Sequence, residues 1–186
     1  MFCIVMMRDR ELRREQCVQR HIPILSTQTQ AILDEYLQAL QPKTIVEIGS
    51  AVGYSTARIA SRIAARNGKI YSYEVTYAAY REALQNTTND PQVTIYPWSI
   101  LDSDPTKQIA SPVDFVFVDG KKAEYAQYVT KIQPLLHAKS IVVCDDVIKY
   151  QNKLTLLYEY IAEKQIIYHI KETEPGDGVM ILQSLT

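Results

Sequence analysis

Cysteine is scarce: three residues, at positions 3, 17 and 144, with no Cys-x-x-Cys pair among them. So sparse a set builds no disulfide framework and fits a reducing cytosol, the expected location. Charge of one sign is lacking too, since 20 basic residues face 21 acidic ones and the net charge is −1. That balance removes any global pull toward nucleic acid or a membrane surface. No long hydrophobic run occurs. The apolar start, Met1 to Met7, ends at once in Arg8 and Asp9, too short for a membrane span or a signal peptide. Internal repeats, low-complexity tracts and linkers are absent as well. What remains is a chain of 186 residues, 47% hydrophobic and 22% charged. These are the proportions of one soluble globular domain, spanning 1–186, whose core needs no disulfide or metal staple. Residues 1–20 read as a helical or arm segment, charged from Arg8 to Arg20 and without a clean apolar stripe.

Thr27 to Leu40 carries Ala31, Ile32, Tyr36, Leu37 and Leu40 at helical spacing. Beyond it, strands are predicted at 44–48, 69–74, 92–97, 113–118 and 140–144, with helices at 54–66, 77–86, 122–136 and 152–162. Apolar strands without period-two alternation, separated by helices, imply a parallel sheet covered on both faces. The tail breaks that rhythm. Gln165 to Lys171 and Val179 to Leu185 are two strand-like runs joined through Glu174-Pro-Gly-Asp-Gly178, a turn-rich stretch able to reverse the chain. The expected fold is therefore α/β and doubly wound, a mostly parallel seven-stranded sheet ending in an antiparallel hairpin.

The stretch Ile45-Val-Glu-Ile-Gly-Ser-Ala-Val-Gly-Tyr-Ser55 runs from an apolar strand through two glycines into an amphipathic helix. Glycines at such a turn let the backbone approach a ligand, and the helix start offers unpaired N–H groups. Neither G-x-G-x-x-G nor G-x-x-x-x-G-K-[ST] is present, because Ala51 replaces the middle glycine and no Lys follows Gly53. A dinucleotide or phosphate cradle is thereby disfavoured. Glu47 stands in the strand instead, a poor neighbour for pyrophosphate and a good one for an ammonium or a ribose. That combination points to S-adenosylmethionine. Glu74 closes the next apolar run, where a carboxylate can accept from two ribose hydroxyls or serve as a charge in the first turn of the following helix.

Ligands of such sheets bind beyond the carboxyl ends of the strands. Asp119 ends one predicted strand, and Asp145 and Asp146 end another. Adjacent residues of a strand face opposite ways, so both aspartates meet one ion only where the strand has ended. Three oxygen donors without histidine or cysteine suit Mg²⁺, Mn²⁺ or Ca²⁺ rather than zinc, the alternative being helix caps. Lys121 and Lys122 follow Asp119 at a predicted helix start. There the helix dipole and a bound ion lower a lysine's pKa, as a general base requires.

Together these residues resemble the metal-dependent O-methyltransferases related to the catechol and caffeoyl-CoA enzymes, from about His21 to the C-terminus. Ile22-Pro-Ile-Leu-Ser26 resembles the family's opening segment, and Val46 to Thr56 its cofactor motif. Phe117-Val-Asp-Gly-Lys-Lys-Ala-Glu-Tyr125, Val143-Cys-Asp-Asp-Val-Ile148 and Gly176-Asp-Gly178 resemble its metal, base and late-turn segments. The resemblance implies a Rossmann-like class I methyltransferase. It places Glu47, Gly49, Ser50, Gly53, Tyr54 and Ser55 around the methionine end of S-adenosylmethionine, Glu74 on the ribose, and Trp98 and Ser99 along the adenine. Asp119, Asp145 and Asp146 would hold Mg²⁺, with Asp119 also beside the cofactor, and Lys122 would be the base. Asp146 replaces the family's usual Asn, Lys121 a frequent aspartate, and Trp98-Ser-Ile100 the usual adenine segment. Two acceptors are consistent with this outline: a catechol-like small molecule and a 5-hydroxyuridine of tRNA. Five arginines in 8–20 and the row Arg58, Arg62, Arg66 favour RNA; the interleaved Asp9, Glu11 and Glu15 oppose it. Relatives of this kind often form homodimers, and the N-terminal segment is a candidate contact. A non-catalytic S-adenosylmethionine-binding protein is the remaining alternative, for which missing ligands would be expected.

Overall fold

Seven strands form one sheet, in the order β3-β2-β1-β4-β5-β7-β6. The computed structural model describes residues 14–109, 112–183 and 185, so 1–13 of the proposed N-terminal arm lie outside the described residues. The strands are β1 (Thr44–Ile48), β2 (Lys69–Tyr73), β3 (Val93–Tyr96), β4 (Val113–Val118), β5 (Leu136–Cys144), β6 (Ile167–Glu174) and β7 (Asp177–Gln183). Helices are α1 (residues 14–19), α2 (Thr27–Leu40), α3 (Tyr54–Ile63), α4 (Tyr77–Asn86), α5 (Pro105–Gln108), α6 (Tyr125–Ile132) and α7 (Thr155–Glu163). β1 to β5 pair in parallel, and β7 lies antiparallel between β5 and β6.

The continuous apolar character of β1, β4 and the second half of β5 follows from burial on both faces. Val46, Ile48, Val116 and Val118 pack with Val129 and Ile132 of α6 and Leu157 and Ile161 of α7. Their neighbours in sequence, Ile45, Phe115 and Phe117, pack on the opposite side with Leu33 and Leu37 of α2 and Ile59 and Ile63 of α3. One chain step thus moves a side chain from one helical layer to the other. The sheet is doubly wound, and its strand order reverses between β1 and β4, where such folds open a crevice at their carboxyl ends.

Several element bounds depart from the sequence-based expectation. The helix predicted at 122–136 divides into a 3₁₀ turn (Lys122–Glu124), α6 and a second 3₁₀ turn (Gln133–Leu135). Pro134 in that second turn has no N–H to continue the α-helical ladder. β5 begins at Leu136, earlier than expected, and the extra length accompanies an irregular register against β4 between Val113 and Phe115. α5 is an addition to the predicted elements; Asp104 caps it by accepting from the Thr106 N–H at 3.2 Å, with Pro105 at its first position. The hairpin turn shrinks to Pro175-Gly176 between paired Glu174 and Asp177, with Gly176 at φ +82°. Among the described residues no helix is long and apolar enough to cross a membrane.

Asp114 of β4 ties the start of β1 to the sheet. Its Oδ2 accepts from the N–H groups of Lys43 (2.7 Å) and Thr44 (2.9 Å), and Oδ1 lies 3.1 Å from His137 Nε2. Burial pushes the carboxyl pKa up, but these donors outweigh it and hold the pKa below its usual value. A depressed folded pKa stabilises the fold above the unfolded pKa and loses that contribution as pH falls through the folded one. Asp114→Ala is therefore expected to cost about 1 kcal/mol at pH 7. Urea unfolding of both proteins should show the gap narrowing at acid pH; a gap independent of pH would contradict the ionised-acceptor role.

Candidate active site

β1 ends into the glycine turn with Gly49 at φ +96° and Gly53 at φ +81°, and Ala51 between them also adopts a positive φ of 45°. β4 ends beside it. The Asp119 N–H donates to Ile48 O at 2.8 Å, so the two strand ends stay locked past the sheet. A cavity of about 520 Å³ opens at this edge, a size ordinary for a small-molecule site. Gly49, Glu74, Trp98, Ser99 and Asp119 all line it, which brings together five of the sequence-predicted cofactor residues.

Glu74 is held rigidly, with Oε2 accepting from the Ala51 N–H (2.8 Å) and Oε1 from the Thr76 N–H (2.7 Å). Each oxygen keeps a further lone pair for a ligand hydroxyl. Tyr73, Tyr96 and Trp98 form a tilted aromatic series, with ring centroids 5.0 and 5.4 Å apart, and Trp98 remains 40% exposed at the cavity. Ser99 Oγ accepts from the Leu101 N–H and starts the 3₁₀ turn Ile100–Asp102.

The other predicted cofactor residues lie deeper or elsewhere. Glu47 is fully buried on the α3 side of β1, with Oε2 accepting from Thr56 Oγ1 (2.5 Å) and Ser72 Oγ (2.6 Å). Burial raises its pKa against the opposing hydroxyls of Ser55, Ser72 and Thr56. Its second oxygen, Oε1, has no partner at hydrogen-bond geometry, although Ser55 stands near the carboxylate. Ser50 Oγ is likewise buried without a partner. Two such orphaned groups at one glycine turn fit a polar ligand that supplies the missing hydrogen bonds. Ser55 is buried next to them. Gly53 and Tyr54 instead line a separate pocket of about 20 Å³, shared with Cys17, Val52, Ala57 and Asn86.

The carboxylates predicted as metal ligands converge at the ends of β4 and β5. Asp146 sits at φ +57°, so the chain turns immediately after the strand, as a shared site for both aspartates requires. Lys122 Nζ donates to Asp119 Oδ1, Asp146 Oδ2 and Tyr125 Oη, each at 2.8 Å, which uses all three ammonium hydrogens. Tyr125, fully buried, donates in turn to the Asp145 carbonyl at 3.1 Å. Thr29 Oγ1, delivered by the Ser26-capped start of α2, lies 3.4 Å from Asp145 Oδ1. Burial, followed by the charges of Asp119 and Asp146, pushes the Asp145 pKa up to about 8.

Lys122 differs from its sequence-based expectation. Burial does lower its pKa, but Asp119 and Asp146 together outweigh burial and the net shift is upward. The expectation weighs the helix start and a bound ion, and two carboxylates in direct contact are the larger effect. Among the described residues, no three His, Cys, Asp or Glu side chains are disposed around one point as metal ligands are, and the Lys122 ammonium bridges two of the three aspartates. The donor chemistry nonetheless fits a hard cation. All donors are oxygens, they repel one another, and a positive group already sits between two of them. Tyr125, Thr29 and Asp177, which raises the acid count beside Asp146, are site residues that sequence reasoning gives no role; Tyr125 and Asp177 fall within the segments 117–125 and 176–178 that it does single out.

Residues 46–147, from β1 to just beyond Asp146, match the family model described as a methyltransferase domain. The chain belongs to that methyltransferase family. It is 30% identical over 117 residues to a catechol O-methyltransferase of Niastella koreensis, covering 60% of this chain and 52% of the relative. It is also 30% identical over 112 residues to the O-methyltransferase ankF of Aspergillus thermomutatus, covering 57% and 46%. The chain thus spans about half the length of these curated relatives. Among solved structures, an O-methyltransferase from Bacillus cereus in complex with SAH matches with a TM-score of 0.80 at 20% identity, over 94% of this chain and 90% of that one. The O-methyltransferase TomG from Streptomyces achromogenes, in complex with SAM, gives 0.77 at 19% identity over 90% and 85%. These likenesses establish the seven-stranded Rossmann-like methyltransferase fold.

Proposed function

We propose that the protein transfers the methyl group of S-adenosylmethionine to one hydroxyl of a vicinal-dihydroxy, catechol-like small molecule, with a divalent cation such as Mg²⁺. The observation that carries this reading is Lys122 bridging Asp119 and Asp146, with the charge of Asp145 beside them, next to the Gly49–Glu74 cavity that Asp119 lines. The names of the relatives support it from outside the chain. In this reading the cavity takes the adenosyl portion, with Glu74 on the ribose and Trp98 and Ser99 along the adenine. Glu47 Oε1 and Ser50 Oγ offer their free positions to the methionine end.

Asp119, Asp145 and Asp146 would hold the cation, which when bound lowers the pKa of the acceptor hydroxyls. With a cation held there, the carboxylate charges that raise the Lys122 pKa would be offset, so the buried ammonium would give up a proton to solvent. The neutral Lys122 Nζ would then accept the proton of the attacking hydroxyl. The oxygen forms its bond to the methyl carbon as the carbon–sulfur bond breaks, leaving the thioether product in the cavity. Tyr125 holds the amine in place, so much of the rate derives from orientation.

The tRNA reading has less support. Arg58 and Arg62 share Asp34, which offsets one of their two charges, and Arg20 of the N-terminal arginines pairs with Glu82. A homodimer is also part of this proposal, and the exposed Ile167, Tyr168 and Ile170 of edge strand β6 are the surface that favours it. The test is transfer of labelled methyl to a dihydroxyphenyl acceptor and, in parallel, to tRNA lacking its anticodon-loop modification. Label on the small acceptor alone supports the proposal; label on tRNA alone overturns the acceptor class.

A further inference from the structure

The segment after Asp146 winds through successive tight turns. The Tyr150 N–H donates to Asp146 O (3.3 Å), the Gln151 N–H to Ile148 O (3.2 Å) and the Lys153 N–H to Tyr150 O (2.8 Å). These turns gather three ammonium groups around one half-buried ring. Lys153 Nζ lies 4.8 Å, Lys149 Nζ 5.5 Å and Lys122 Nζ 5.8 Å from the Tyr150 ring centroid. Tyr150 therefore brings two exposed lysines to the same ring as the proposed base.

The two outer lysines differ from the cations around them. Lys121 pairs with Glu124 at 2.6 Å, and Lys122 with Asp119 and Asp146 at 2.8 Å. Among the described residues neither Lys149 nor Lys153 has a carboxylate within ion-pair distance. Lys149 acts through space on Asp146, so these two lysines adjoin the carboxylate cluster and add positive charge at its edge. An acceptor ring with its hydroxyls toward Lys122 would lie near Tyr150, and a further substituent on it would fall within the field of Lys149 and Lys153.

We propose that Lys149, Tyr150 and Lys153 form an acceptor subsite that selects a dihydroxyphenyl ring bearing an anionic substituent, a carboxylate, over a neutral one. Tyr150 supplies the aromatic wall and the lysines supply the charge. This rests on the O-methyltransferase reading above and narrows its acceptor.

The probes are 3,4-dihydroxybenzoate and neutral catechol, with binding measured at equilibrium in the presence of SAH and Mg²⁺ and turnover measured separately. The expected wild-type result is binding of the benzoate about tenfold tighter than catechol, the equivalent of two exposed ion pairs. In the double variant K149Q/K153Q, both sites being exposed, that ratio is expected to fall about tenfold, and added salt should compress it in wild type. A wild-type ratio at or below one, or a ratio that survives the double substitution, overturns the proposal. A binding preference without turnover of either acceptor supports the subsite and refutes the catechol-type reaction alone. Methylation confined to RNA, with no carboxylate preference in binding, overturns the subsite.

Discussion

Lys122→Met is expected to lower methyl transfer about 10²- to 10⁴-fold, the usual weight of a general base. Cofactor affinity should change little, because Lys122 is not among the residues lining the Gly49–Glu74 cavity. The substitution also leaves Asp119 and Asp146 facing each other without their ammonium partner. Because Lys122 is mostly buried and the aspartates are partly exposed, the stability cost is expected to be about 1–3 kcal/mol, below that of breaking a fully buried pair. Mg²⁺ should raise the melting temperature of the variant more than that of wild type, since the ion and the ammonium draw on the same carboxylates. Single-turnover rates, isothermal titration of S-adenosylmethionine and thermal melts with and without Mg²⁺ read these effects separately. A variant that keeps the wild-type rate would remove Lys122 from the chemistry.

Gly49→Ala should be the most damaging single change at the cofactor turn. An added Cβ would lie 2.3 Å from the Asp119 carbonyl oxygen and 2.8 Å from its carbon. Those are backbone atoms at the end of a central strand, so they cannot move aside as a flexible side chain would. The φ of +96° adds backbone strain for any residue with a Cβ. The expected loss exceeds about 3 kcal/mol, with cofactor binding abolished in whatever folds. Gly176→Ala is the control, because its φ is also positive, at +82°, but nothing lies within 4 Å of an added Cβ. Only local strain applies there, about 1 kcal/mol. Urea unfolding of the two variants separates close approach from strain, and equal losses would mean that the β1–β4 contact is not what demands glycine at 49.

The parts of the fold carried by local pattern are legible in the amino-acid sequence. β1 and β4 fall where their apolar runs place them, at 44–48 and 113–118, because each run is bounded by a glycine or an acid. The gathering of Asp119, Asp145 and Asp146 is legible for the same reason, since strand ends of a parallel sheet share an edge. Contacts between distant segments are not. Glu47 stands beside Ser72 only through the β1–β2 register, and Thr29 reaches Asp145 across 116 residues of chain. Tyr125 has the pattern of a core residue, and it is one; its hydroxyl position depends on where the 3₁₀ turn Lys122–Glu124 gives way to α6. The direction of the Lys122 pKa shift escapes sequence reasoning for a related cause, because it depends on two 2.8 Å ion pairs that no spacing encodes.

Transfer of labelled methyl from S-adenosylmethionine to a dihydroxyphenyl acceptor, run with Mg²⁺, with EDTA, and with EDTA followed by excess Mg²⁺, tests the central claim most directly. Transfer lost on chelation and restored by Mg²⁺ is the predicted result. Undiminished transfer in EDTA would contradict the role given to Asp119, Asp145 and Asp146, and leave Lys122 with its carboxylates as a structural ion-pair network.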